Sequence, residues 1–265
     1  MKKCFTINCM RTIEDFIEYD KLIKEGLFQG VELFYPYNVS DGQKNIYTNE
    51  VTKLIKNNNL EVVLHLPHGG LNNLVNSDYS INHEIIKRMK DASDYANLFN
   101  VKKLTLHLGC AFKESNREKL LDVICNALKD LCDYVSKYQM VVMIENMPRD
   151  NELGYSPLEI YQLIQKVACD NIKFILDTGH AHVSCYQIEE YIDLLKDYLY
   201  HIHFSDNDGS SDQHKAIGKG NIDFNKVFSA LKKINYNHLH CLEIIFKTAL
   251  DLRMYNQDIE KFNIY

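Results

Sequence analysis

Nowhere in its 265 residues does this chain carry an apolar run of about 18 residues, the length that crosses a bilayer as a helix, so no membrane span is expected. A basic block is also missing, and the formal net charge is −6. Nothing therefore draws a nucleic-acid backbone electrostatically, which weighs against DNA or RNA as a partner. The eight cysteines are scattered without a CxxC pair. Most lie in apolar runs and read as small core residues of a chain kept in a reducing cytosol. The opening MKKCFTINCMRTIED has a short basic head but turns charged too early for a signal peptide, so a cytoplasmic location is expected. Finally, no Pro/Gly/Ser-rich linker or break in composition divides the chain, and residues 1–265 read as one domain.

What is present is an alternation. Short apolar runs at 4–8, 31–34, 61–67, 103–109, 141–146, 173–179, 200–206 and 241–246 read as strands covered on both faces, as parallel strands are. Between and after them, helical patterns fall at 12–25, 49–57, 82–99, 116–138, 157–168, 187–197, 223–234 and 249–261. Ser156, Pro157 and Glu159 form a capping-box signature, and Asp223 can cap the helix that follows it. Eight strand-helix units predict an α/β fold, a single (β/α)8 TIM barrel. An open doubly wound sheet is disfavoured because no Gly-rich phosphate turn follows the first strand.

The chemistry is written at the strand ends. Six runs place apolar residues just before a metal-competent side chain: His65, His107, Glu145, Asp177, His203 and Glu243. In a barrel these positions converge at one mouth. A single histidine after an apolar run is ordinarily a hydrogen-bonded core residue. Six such positions are different, because burying three carboxylates with three imidazoles costs heavily unless cations neutralise them. Nitrogen and oxygen donors suit zinc, manganese, cobalt or magnesium, and Cys110 beyond His107 reads as packing. Glu145 and Glu243, on the fifth and eighth strands, can flank a substrate as acid and base.

A polar segment, HFSDNDGSSDQHKAIGKG at 203–220, follows the seventh strand. Its Asp212 and His214 can reach back over the mouth. Gly218-Lys219-Gly220 offers amides and an ammonium near the place where barrels often hold phosphate, with an Asx-rich turn as the alternative. Asp206, Asp208 and Ser210 do not fit a calcium-binding helix-loop-helix, whose glycine and terminal glutamate are misplaced here. Asn8 and Glu32, at the first and second strand ends, stand equally as substrate contacts or as barrel-closing groups. His201, His238 and His240 read as structural or solvent-facing, and His182 as no more than a neighbour of the site.

Taken in order, GVELF, HLPH, LHLG, IENM, LDTGHAH, HFSDNDG…DQHKAIGKGNIDF and CLEII resemble the xylose-isomerase-like barrels over nearly the whole chain. That superfamily includes sugar phosphate isomerases and epimerases and the endonuclease IV class of AP endonucleases (AP endonuclease family 2). The resemblance to the epimerase branch implies one divalent ion held by Glu145, Asp177, His203 and Glu243. The two glutamates would exchange a proton beside a ketose carbonyl while the metal stabilises the enediolate, and His180 would contact substrate oxygens.

The endonuclease branch implies up to three zinc ions: His65 or, failing it, His68, with His107 and Glu145; the inner four; and His180 with Asp212 and His214. Yet YPYNVSDGQKN and GGLNNLVN lack the arginine, and the tyrosine paired with a bulky apolar wedge, by which that branch enters a minor groove and displaces bases. The favoured expectation is therefore an isomerase or epimerase of carbohydrate metabolism, acting on a small sugar or sugar phosphate with one metal ion per chain. His180, His68, Lys219, Asn8 and Glu32 are its candidate substrate contacts. A trinuclear zinc phosphodiesterase, a dehydratase or lyase on a small hydroxy acid, and a sugar-binding barrel without turnover remain alternatives. Related barrels often pair, but the sequence does not set the oligomeric state.

Overall fold

The computed structural model describes residues 1–69 and 72–262; residues 70 and 71, inside the GGLNNLVN segment, and 263–265 lie outside the described residues. Strand β1 (Lys2–Ile7) leads to α1 (Ile13–Lys24), β2 (Gly30–Phe34) to α2 (Asp41–Asn57), and β3 (Glu61–His65) to α3 (His83–Asn97). Next come β4 (Lys103–Leu106) with α4 (Arg117–Ser136) and β5 (Val141–Glu145) with α5 (Pro157–Val167). After β6 (Ile172–Asp177) stand two helices, α6 (Thr178–Val183) and α7 (Ile188–Leu195), followed by β7 (Leu199–Phe204), α8 (Phe224–Lys233), β8 (Leu239–Leu242) and α9 (Ala249–Glu260). All eight strands are parallel and neighbours in sequence order, with β8 closing onto β1. The fold is the expected (β/α)8 barrel.

Helices cover the outside because their apolar residues recur on one face. In α4, Leu120, Ile124, Leu128, Leu131 and Val135 are buried at helical spacing. Ser156 accepts from the Glu159 amide as a cap, but the expected reciprocal box does not form. The Glu159 carboxylate instead accepts from the Gly154 amide at 2.6 Å and from Arg117 Nη2 at 3.0 Å. Asp223 caps α8 as expected, accepting from the Lys226 amide.

Helix α2 begins eight residues before the expected start. Its first turns are polar, which hid them, and they are held by the Ser40 cap and by buried Tyr47, whose hydroxyl donates to the Ile7 carbonyl at 2.9 Å. Short α6 was also unforeseen, since Thr178 and Gly179 continue the apolar run of β6.

Strand geometry fixes what lies under the mouth. Residues two apart share a face, so Val63, Met143, Ile175 and Cys241 lie one layer below His65, Glu145, Asp177 and Glu243. With Cys4 and Leu239 they form a buried inner cluster. The mouth side chains thus stand on a packed floor. Among the cysteines, Cys4, Cys125, Cys132 and Cys241 pack as expected, whereas Cys185 is exposed. No helix among the described residues is long and apolar enough to cross a membrane.

Candidate active site

Three sets of donors meet at the carboxyl ends of the strands: Glu145, Asp177, His203 and Glu243; His180, Asp212 and His214; and His65, His68 and His107. Within each set one donor atom per residue lies within 4.8 Å of the others. Glu145 joins them. Its Oε1 is 3.1 Å from His203 Nδ1 and 3.6 Å from His180 Nδ1, while its Oε2 is 2.9 Å from His107 Nε2 and 3.4 Å from His65 Nε2. His203 Nδ1 is also 2.8 Å from Glu243 Oε2. Asp212 Oδ2 bridges His180 Nε2 at 3.3 Å and His214 Nε2 at 2.9 Å.

Local structure explains how each side chain is aimed. Asp177 ends β6 and caps α6, accepting from the His180 amide at 2.6 Å. That same turn places His180 over the mouth. Gly179 sits in it because a Cβ there would overlap Ser205 Oγ. His214 adopts φ 43°, a left-handed conformation uncommon for a non-glycine residue, and its main chain is tied down by Ile245 N donating to its carbonyl. Three histidines are oriented by backbone carbonyls on Nδ1: His65 by Leu66, His180 by Asn146 and His214 by Glu243, each at 2.9 Å. A carbonyl only accepts, so these Nδ1 atoms donate and each Nε2 is the nitrogen turned to the mouth.

The charges are strongly perturbed. Burial opposes ionisation of Glu145, but His203 and His107 hold it well below the usual carboxylate range. Against the same burial, His203 draws Glu243 down to about 2. Asp177 differs: burial, with Glu243, Glu145 and Asp212 nearby, pushes it up to about 7 despite His180. Burial pushes His68 down to about 2, leaving a neutral imidazole, whereas Asp212 raises His214 to about 10 against its burial. Two carboxylate oxygens, Asp177 Oδ2 and Asp212 Oδ1, are buried with no hydrogen-bond partner. Oxygens left bare in this way, among nitrogen and oxygen donors, fit divalent cations.

Above the sets lies a cavity of about 260 Å³ lined by His65, His68, His107, Met147, Arg149, Glu152, His180, Asp212, His214 and Glu243. A larger hollow of about 410 Å³ opens between Met1, Phe228, Tyr236 and His238, away from the three sets. Donor chemistry, and not size, marks the mouth cavity as the site.

Three expected substrate contacts are corrected. Glu32 lies mid-strand in β2, fully buried, with hydrogen bonds to Thr105, His201 and His203 and no place in the cavity lining. Asn8 is exposed and turns its Oδ1 to the Met10 amide. Lys219 is exposed and outside the lining, and the amides of Gly218 and Gly220 are already committed to Asp206 Oδ2, at 2.9 and 2.8 Å. An internal carboxylate fills the nest where phosphate was expected. Both His65 and His68 reach the mouth, so the choice between them does not arise.

His201 and His240 are buried, His238 stacks on Tyr200, and His182 bonds Asn221 away from the cavity. Sequence reasoning missed Asn146, whose side chain bonds both the amide and the carbonyl of Asp177. Its place directly after a strand-end glutamate was the available signal. It also missed Arg149, a cation lining the cavity.

A (β/α)8 barrel with a donor-rich mouth defines the class. The model of the xylose isomerase-like TIM barrel family matches residues 20–261, and the chain belongs to that family. An uncharacterised protein of Methanocaldococcus jannaschii is 32% identical over 197 residues, 74% of this chain and 75% of that one. A probable endonuclease 4 of Mycoplasma mobile is 29% identical over 247 residues, covering 84% and 81%. Among solved structures, a D-tagatose 3-epimerase-like protein superposes with a TM-score of 0.80 at 22% identity, over 99% of this chain and 97% of that one, a likeness of fold. The chain is an enzyme of this family.

Proposed function

We propose that this protein is a divalent-cation-dependent isomerase or epimerase acting on a small sugar or sugar phosphate. The observation that carries the reading is the pair Glu145 and Glu243, both buried and both beside His203 Nδ1, under a cavity of about 260 Å³ that suits a small molecule. Strands β5 and β8 are three apart around the barrel, so the two carboxylates approach the cavity from different sides.

Glu145, Asp177, His203 and Glu243 would hold the ion, with zinc, manganese, cobalt and magnesium all suited to these donors. Such an ion supplies Lewis-acid polarisation of a substrate carbonyl. Both glutamates are held ionised at neutral pH, so either can take a proton from the carbon beside that carbonyl, and the other, protonated from solvent, delivers a proton to the opposite face. His180 Nε2, held toward the mouth by its Nδ1 bond to Asn146, is placed to donate to a substrate oxygen. His68 and Arg149 line the rim of the same cavity. The other named relative, a probable endonuclease 4, sets the second reading, phosphodiester hydrolysis on three zinc ions. What favours it is the preformed His180, Asp212 and His214 set, which a one-ion enzyme does not need.

The test incubates protein purified without chelator with ketoses and ketose phosphates in heavy water. The proposal expects solvent deuterium at the carbon next to the carbonyl, lost in Glu145→Gln and Glu243→Gln. No exchange on any ketose, together with close to three zinc ions per chain, one per mouth set, and cleavage of abasic DNA, would transfer the assignment to the second reading.

A further inference from the structure

A buried carboxylate, Glu32, lies outside the cavity lining and outside the three donor sets. Glu32 is fully buried in the layer below the mouth, grouped with His201, His203 and Cys241. A carboxylate in that layer carries a large desolvation cost and persists only if well partnered. Three donors meet it: Thr105 Oγ1 at 2.8 Å on Oε1, and His201 Nε2 at 2.9 Å and His203 Nε2 at 2.7 Å on Oε2. An ionised carboxylate only accepts, so His203 carries a hydrogen on Nε2, and its Nδ1, facing upward to Glu145 and Glu243, is the nitrogen left for a cation those two would share. His65, His180 and His214 are each fixed through Nδ1 by a neutral carbonyl. His203 is fixed the other way round, and by a charge.

We infer that Glu32 is a positioning residue: from beneath the mouth it sets the tautomer and ring orientation of His203 and places a negative charge behind the inner donor set. The inference rests on the proposed cation reading of Glu145, Asp177, His203 and Glu243. His201 supports Glu32 from the side with a second ring N–H. Thr105, two residues before His107 on β4, completes the carboxylate from the opposite oxygen. Together they form a buried hydrogen-bonded floor under one ligand, the arrangement by which proteins orient a metal-binding imidazole and raise its basicity.

The test measures Mn²⁺ affinity by calorimetry for the wild type, Glu32→Gln and Glu32→Leu, and records ¹⁵N-histidine spectra of the zinc-loaded wild type. Removing such a partner weakens metal binding by about 10- to 100-fold, so the leucine variant should approach the upper figure and glutamine, which keeps an acceptor but no charge, the lower. The wild-type spectrum should show a solvent-protected, downfield His203 Nε2–H. If the wild type binds metal and the variants match it, the inference falls while the cation reading stands. If the wild type binds neither Mn²⁺ nor Zn²⁺, both fall. Should the leucine variant not fold, glutamine of wild-type affinity or an unprotected Nε2–H overturns the inference without it.

Discussion

Replacing Asp206 by asparagine tests how the loop after β7 holds the outer donor set. Asp206 is fully buried, and its carboxylate accepts four backbone amides: Asn207 at 2.9 Å and Ile222 at 3.2 Å on Oδ1, Gly218 at 2.9 Å and Gly220 at 2.8 Å on Oδ2. Asparagine keeps one oxygen and turns an NH2 toward the other pair of amides. Two hydrogen bonds to a charged acceptor, at about 1.5–3 kcal/mol each, set a gross loss of about 3–6 kcal/mol. Relaxation of the loop and entry of water recover part of it, so about 3 kcal/mol is expected, which for a chain of this size is a fall of about 6–12 °C in Tm. The effect should reach the site, because Asp206 and Lys215 are paired through both backbone bonds, at 2.8 and 2.9 Å, and Asp212 and His214 hang between them. Calorimetric Tm and metal content per chain are the readouts. A Tm and a metal content both matching the wild type would refute the reasoning. Gly220→Ala should reproduce the defect by another route, since a Cβ there would overlap Asn207 O and Asp206 Oδ1.

Three further outcomes are expected. Glu145→Gln and Glu243→Gln should each lower turnover by at least about 10²-fold with the circular dichroism spectrum unchanged, and near-normal exchange of solvent deuterium in either would remove that residue from the acid/base pair. Asp212→Asn combined with His214→Ala should lower the metal content if the outer set holds an ion; an unchanged count would reassign both residues to loop structure or substrate contact. Cation affinity should rise with pH to and beyond about 7, because Asp177 must shed a proton and so must His203, which, against its burial, Glu243, Glu32 and Glu145 hold well above the ordinary imidazole range. Asp177 has its folded-state value raised from 3.8 to about 7, so across that window the metal-free folded protein keeps a proton the unfolded chain has shed. Its contribution therefore destabilises the metal-free fold as pH rises, and a cation must displace that proton. Glu243, at about 2, titrates below the window. Titrations in buffers of different ionisation enthalpy count the protons released, and none released near pH 6 would contradict the assignment.

Much of this was legible because the barrel repeats itself. Each apolar run sets a strand, and period two decides that a residue just past the run points into the mouth, which is why His65, His107, Glu145, Asp177, His203 and Glu243 could be read as convergent. The same rule misled at Glu32. GVELF reads as a strand end, but Phe34 completes the strand and drops Glu32 a layer down. Asp206 and the glycines of GKG were visible as a polar loop, yet the sequence could not show that the carboxylate folds onto those amides, because that contact closes over 12 to 16 residues. Likewise α6 was hidden because its first two residues, Thr178 and Gly179, were read into the run of β6. Its start depends on the Asp177 cap, a local bond that hydrophobic pattern does not encode.

Glu145 decides how the two functional readings relate. Its oxygens face different sets, Oε1 toward His203 and Oε2 toward His107 and His65, whereas Glu243 serves the inner set alone. A single inner ion would be held through Oε1 and would leave Oε2 facing the histidine set. A second ion beside His65, His68 and His107 would be held through Oε2, and a second cation on the same carboxylate lowers its basicity. Occupancy of that histidine set therefore opposes proton transfer by Glu145 rather than assisting it.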